Sequence, residues 1–284
     1  LTQTKSPQGV SLRDILALSH VFNAISSAIT VIVGYLVTVW AHNAAIAPVP
    51  MLGAALATLF ISSAGFIVND IIDIEIDRIN RPDRVLASGQ ISIPMAWGLY
   101  ILYNVIGLGL AFATTNPPAG AIAILVGAAL FFYSFWFKRM FLIGHITVAV
   151  MGALLLPFGG LAANHLLPSL YIAPIVLLAF LAREILKTVP DVEGDRANNV
   201  INIATRFGPE VAAQVARVIL GLTAVLLLVV PLGWQLNPLY YVVVVVVIWP
   251  VCLVAIFRST SYLLRISKML FLMVAAALLL GSIH

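Results

Sequence analysis

Residues 51–77, MLGAALATLFISSAGFIVNDIIDIEID, decide the fold: an uncharged apolar run ends abruptly in Asn69-Asp70-Ile71-Ile72-Asp73-Ile74-Glu75-Ile76-Asp77. Residues 51–68 are long enough to cross a hydrocarbon core, which needs about 20 apolar residues as helix. If the helix continues, Asn69, Asp73 and Asp77 recur every fourth residue and share one face, with Asp70 beside them. Like charges stacked on one face repel, so such a stripe persists most readily when a divalent cation sits on it. Amide and carboxylate oxygens suit a hard ion such as magnesium (Mg2+), which completes its shell with waters and phosphates.

Working outward, the same kind of apolar run recurs. Candidate spans lie at 15–40, 51–68, 93–115, 119–137, 141–164, 168–189, 211–233, 238–257 and 266–283, so the sequence predicts an all-α polytopic membrane protein with nine transmembrane helices. Turn chemistry separates them at Pro48 and Pro50, Pro117–Pro118, Leu167–Pro168, Gly208–Pro209 and Asn237–Pro238. Val242–Ile248 would read as strand in water, but inside an apolar span it reads as helix. Of the 284 residues, 62% are apolar and only 9% charged, with a mean hydropathy of +1.09. A soluble domain carries about 25% charged residues, so lipid is the expected solvent. The single cysteine, Cys252, excludes a disulfide framework and a thiolate metal site. The N-terminus, short and polar up to Asp14, shows no cleavable leader.

The charges test the ladder. With nine spans, all 15 basic residues fall on one side or at helix ends facing it: Lys5, Arg13, Arg78, Arg81, Arg84, Lys138, Arg139, Arg183, Lys187, Arg196, Arg206, Arg217, Arg258, Arg265 and Lys268. The positive-inside rule makes that side cytoplasmic and places the C-terminus outside. The 11 acidic residues share the same side, which the rule does not demand. The reading is one transmembrane domain over 1–284, with an inner cap loop at about 70–92 and a second inner loop at about 190–209.

A second cluster follows the sixth span: Arg183-Glu184, Lys187 and Asp191-Val192-Glu193-Gly194-Asp195-Arg196, with Arg183, Lys187, Asp191 and Asp195 at four-residue intervals. Pro190 should break the helix just before the acids. Charged residues beyond a span are ordinarily solvated loop residues, and acids pair with nearby arginines, as Asp83 could with Arg81 or Arg84. Two such clusters among so few acids favour a shared diphosphate–magnesium site, with metals bridging carboxylates to phosphate and bases neutralising the rest. An allylic diphosphate would ionise there, and the cation would need a water-poor chamber among the helices. Phe131, Phe132, Tyr133, Phe135 and Trp136 could shield it by cation–π attraction, or simply pack and anchor at the interface.

These residues resemble the UbiA family of intramembrane prenyltransferases. Asn69-Asp70-x-x-Asp73-x-x-x-Asp77 is similar to the family's first motif, Asp191-x-x-x-Asp195 to its second, and Tyr133-Ser134-x-x-x-Lys138 to a third. The resemblance implies nine helices around a central cavity, a prenyl diphosphate donor, magnesium held by Asn69, Asp73, Asp77, Asp191 and Asp195, and diphosphate contact by Lys138. Asp70 would position or deprotonate the acceptor, or support a neighbouring side chain. Where many members carry Arg-x-x-Asn, this chain has His20-Val21-Phe22-Asn23, so Asn23 carries over to the cavity and an arginine contact does not. Within the family, Asp77–Arg84 followed by Ser88–Ser92, and Arg183–Arg196, resemble the archaeal digeranylgeranylglyceryl phosphate synthases, although Val85-Leu86-Ala87 replaces a more proline-rich stretch. That resemblance implies transfer of geranylgeranyl to the lipid acceptor geranylgeranylglyceryl phosphate, whose phosphate Arg78, Arg81, Arg84, Arg139 and Lys187 would hold. For each arginine the alternative is that it only sets topology. Quinone- and chlorophyll-type acceptors remain open.

Other classes fit less well. A transporter would place its binding charges near the bilayer midplane rather than at one face. A CDP-alcohol phosphotransferase expects one continuous acidic stretch, and a structural protein has no use for acids beside lipid. Nothing in the sequence predicts a nucleic-acid partner, an oligomeric state or a prenyl chain length.

Overall fold

The computed structural model describes residues 10–197, 200–229 and 236–282, and these are all-α. The helices are α1 Leu12–Leu18, α2 Val21–Ala41, α3 Pro48–Ile72, α4 Ile74–Asn80, α5 Ile93–Thr114, α6 Pro117–Phe135, α7 Ile143–Ala162, α8 Leu167–Lys187, α9 Val192–Ala197, α10 Ile203–Phe207, α11 Pro209–Val229, α12 Pro238–Val243, α13 Trp249–Phe257 and α14 Thr260–Ser282. Lys5, the side chain of Lys268 and the distal ends of the expected spans 211–233 and 266–283 lie outside the described residues.

Most helix starts follow the expected turn chemistry. Asn116 accepts from the Ala119 amide ahead of Pro117–Pro118, Ser92 accepts from Met95, and Asn237 accepts from Leu239 ahead of Pro238. Each satisfies an amide that the helix leaves unpaired, while proline occupies a first-turn position where no donor is needed. Val244–Ile248 is helical as expected, but as a π-turn joining α12 to α13. Pro250, just beyond, cannot donate to residue 246 and its ring would crowd that carbonyl; the wider turn absorbs both effects.

Among the described residues, eight helices are long and apolar enough to cross a membrane, α12 through α13 counting as one. The expected ninth corresponds to α14, a helix of 23 residues that is apolar without interruption from Met269 to Leu280. In α5 only Ala96, Gly107 and Ala111 are buried, and in α6 only Ala119, Gly120, Ala123 and Ser134, so these helices, apolar nearly all round, face lipid. The first expected span, 15–40, is not continuous: α1 ends at Leu18, and His20 takes a left-handed conformation (φ 46°, ψ 46°) before α2 begins. The Ser19 hydroxyl donates to the Ile15 carbonyl at 2.7 Å and closes α1.

Packing is helix on helix. α3 lies against α2 and α5, α7 against α2 and α8, and α11 against α8, while α14 returns to α2. α2 and α7 approach backbone to backbone, because a Cβ at Gly159 would collide with the Val31 carbonyl and one at Gly34 with the Leu156 carbonyl. Small residues permit such closeness where lipid removes the usual hydrophobic drive between helices. On the charged side, Leu86 and Ile91 of the 81–92 connection pack with Leu18, Ile67, Ile71 and Ala96, pinning that connection over the ends of α1, α3 and α5.

Candidate active site

The acidic stripe forms much as its spacing demands. α3 kinks at Asp73, yet the Asp73 amide still donates to the Asn69 carbonyl at 2.9 Å and the Asp77 amide to the Asp73 carbonyl at 2.8 Å. The four-residue register therefore survives, and Asp70, Asp73 and Asp77 are all buried, at 6%, 8% and 8% exposure. Three buried carboxylates need partners. Asn69 Nδ2 donates to Asp73 Oδ2 at 3.0 Å, and Lys138 Nζ forms an ion pair with the same oxygen. Arg84 Nη1 bridges Asp70 Oδ1 at 3.1 Å and Asp77 Oδ2 at 2.5 Å, and His20 Nε2 lies 2.9 Å from Asp70 Oδ2. Burial pushes the Asp77 carboxyl above its ordinary range, against the lowering effect of Arg84.

The second cluster is arranged differently from its spacing. α8 ends at Lys187 before Pro190, as expected, but the turn prevents Arg183 and Lys187 from lining up with Asp191 and Asp195. Instead both bases hold the buried Glu184, at 3.1 Å and 2.8 Å. Asp195, on α9, accepts from Asn202 Nδ2 at 2.7 Å, while Asp191 is exposed. Burial raises the Asp195 carboxyl, with Asn202 opposing, the Asp191 charge adding to the rise and the Lys138 ammonium lowering it. Lys138 thus pairs with one acidic segment and acts electrostatically on the other. Tyr133, one helical turn before it, lies within electrostatic reach of Asp73, Asp195 and Glu184.

The other predicted residues separate into groups. Arg78 pairs with Glu75 at the exposed rim, 2.6 Å away. Arg81 and Arg139 are exposed and have no ion-pair partner among the described residues. Asn23 is exposed, and Asp83 is exposed while Arg84 turns inward to Asp70 and Asp77. Phe132 and Trp136 are 44% and 55% exposed and stack on each other, so they fit the interfacial role. Sequence reasoning named Glu184 within the second cluster and His20 at the position of the family arginine without giving either a role, and did not place Asn202 in the site. The signal for Asn202 was its capping pattern with Thr205, which speaks only of a helix start. Among the described residues, no group of three His, Cys, Asp or Glu side chains stands close enough to hold a metal by itself.

Helix ladder and buried charge together define a multi-pass membrane protein with one acid–base centre at a single rim. The chain belongs to the UbiA prenyltransferase family, whose model matches residues 27–280, and it is an enzyme of that family. It is 36% identical over 218 residues to the digeranylgeranylglyceryl phosphate synthase of Sulfurisphaera tokodaii, covering 74% of this chain and 76% of the relative. The counterpart from Saccharolobus solfataricus is 31% identical over 262 residues, 89% of each. A solved digeranylgeranylglyceryl phosphate synthase superposes with a TM-score of 0.77 at 27% identity, covering 96% of this chain and 98% of that one. A UbiA homologue from Archaeoglobus fulgidus, bound to GPP and Mg2+, superposes with a TM-score of 0.76 over 95% of this chain and 99% of that one. At 19% identity, that likeness speaks for the fold.

Proposed function

We propose that this enzyme moves a geranylgeranyl group from its diphosphate to the hydroxyl of geranylgeranylglyceryl phosphate, in a chamber between the helices beneath the 70–92 cap. The observation that carries the reading is the ion pair between Lys138 and the buried Asp73, with Asp195 of the second acidic segment within electrostatic reach of the same ammonium. The relatives from Sulfurisphaera tokodaii and Saccharolobus solfataricus, named for that transfer, support the choice of acceptor. Nine spans and a cytoplasmic active site complete the reading: α14 would cross the membrane, and the basic side would face inward.

The donor atoms fit magnesium. Asn69, Asp73, Asp77, Asp191 and Asp195 offer only oxygen ligands or an amide, and magnesium is typically bound through one or two carboxylates plus phosphates rather than a dedicated cage. The chemistry that bound magnesium supplies is neutralisation of charge on the departing diphosphate. Lys138 adds a donor for the same oxygens, and Tyr133 lies within electrostatic reach of Asp73 and Asp195. The allylic C–O bond breaks with its electron pair going to diphosphate, and the acceptor oxygen bonds to the freed carbon. Asp70, held from both sides by His20 and Arg84, orients the acceptor hydroxyl or takes its proton. Arg84 and the exposed Arg81 and Arg139 supply positive charge for the acceptor phosphate.

Purified protein in liposomes, given geranylgeranyl diphosphate with either geranylgeranylglyceryl phosphate or hydroxybenzoate, tests this by product mass. The ether lipid product should form, stop with chelator, return with magnesium and be absent in D73N/D191N. Product only from hydroxybenzoate would overturn the acceptor; turnover insensitive to chelator or to D73N/D191N would overturn the site.

A further inference from the structure

On α13 and α14, which carry none of the acidic residues, a cavity of about 290 Å3 is lined by Pro250, Val251, Val254, Tyr262, Ile266, Met269 and Met273. Apart from the Tyr262 hydroxyl the lining is apolar. Val254 and Met269 are 48% and 60% exposed, so this is an outward groove rather than a gap in the core. From Tyr262 to Met273 it runs for about 16 Å along the helix, at 1.5 Å per residue. Its end toward the charged side is basic. Arg258 follows α13 one turn beyond Val254, and Arg265 lies on α14 between Tyr262 and Met269. Arg217 of α11 reaches the same place, its Nη2 donating to the Arg258 carbonyl at 3.4 Å. None of the three arginines has a carboxylate partner among the described residues, and the buried Nε of Arg217 has no hydrogen-bond partner.

An apolar trough about one lipid arm long, flanked toward the charged side by Arg258, Arg265 and Arg217, none with a carboxylate partner among the described residues, matches one chemistry: a phosphate head on a hydrocarbon chain. No residue of the acidic centre comes from α11, α13 or α14, so the donor and acceptor of the transfer reaction are not its natural occupants. We infer that this groove binds an anionic membrane phospholipid, with one chain along α14 and the phosphate on Arg258, Arg265 and Arg217. The inference does not rest on the proposed reaction.

Native mass spectrometry of the detergent-purified full chain, titrated with phosphatidylglycerol, phosphatidylcholine or inorganic phosphate, tests it. Wild type should retain phosphatidylglycerol at least about five-fold better than phosphatidylcholine, as expected for a charge-assisted contact. R258Q/R265Q should lose that preference, while M269W, which fills the trough, should weaken both lipids. An unchanged preference in R258Q/R265Q would overturn the inference, as would inorganic phosphate competing as well as the lipid. A dimer that vanishes in M269W would overturn it too, by showing a second copy over the groove. Unchanged melting temperature and prenyl transfer in R258Q/R265Q would show that a lost preference reports binding rather than misfolding.

Discussion

Lys138 is where the chemistry of two distant segments meets. Its removal leaves the buried Asp73 without its cation, and breaking such a pair costs about 3–5 kcal/mol. K138M should therefore melt well below wild type, and D73N/K138M should recover much of the loss because the buried charge is gone. Activity should not recover, since both groups serve the diphosphate in the proposed reaction; thermal unfolding and turnover measured side by side would separate the effects. A second prediction concerns protons. Burial raises the carboxyls of Asp77 and Asp195, so each holds its proton to higher pH in the folded protein than in the unfolded one. Their contribution to stability is present below the unfolded value and is lost as pH rises through the folded one. Cation binding needs the charged form and changes in the opposite direction. Magnesium affinity, followed by calorimetry from about pH 4 to pH 7 across the carboxylate range, should strengthen just above that range, and D195N should flatten part of the rise.

At the scale of elements, two local features position the site. The break between α1 and α2 puts His20 in the left-handed region, where its ring meets Asp70 and lies 5.2 Å from Phe66. Glycine adopts that conformation freely and alanine does not, so H20G should be more stable than H20A by about 1 kcal/mol, although both lose the Asp70 contact. Equal melting temperatures would show that the backbone there is unstrained. The α2–α7 crossing is the second feature. G159L would drive a side chain into the Val31 carbonyl, and such overpacking costs about 1–3 kcal/mol; a variant with wild-type melting would mean that the helices can part without penalty. The spans, the break before Pro190 and the register from Asn69 to Asp77 were legible because lipid thickness and helical pitch act locally. The break at Ser19–His20 was not, since no glycine or proline marks it and its reason is a carboxylate fifty residues away.

For the whole molecule, the ionic groups fall along the sequence on one side of the predicted spans, which makes orientation testable. In cells carrying C252S, a cysteine at Ala45 should react with a membrane-impermeant maleimide from outside, and one at Ser88 only after permeabilisation. The reverse pattern would invert the topology. Sequence alone determined that this chain crosses the membrane repeatedly, that its charges share a side and that two acidic segments carry oxygen donors at helical spacing. Hydropathy, pitch and charge are properties of neighbouring residues, so they are written along the chain. Tertiary structure decided which base meets which acid. Arg84, not Arg78 or Arg81, turned inward to Asp70 and Asp77; Arg183 and Lys187 went to Glu184; and Lys138 paired with Asp73 within electrostatic reach of Asp195. Several cations were near enough in sequence to pair with the acids, and only the packing of helices around buried carboxylates selects among them, because each desolvated charge takes the partner the fold presents.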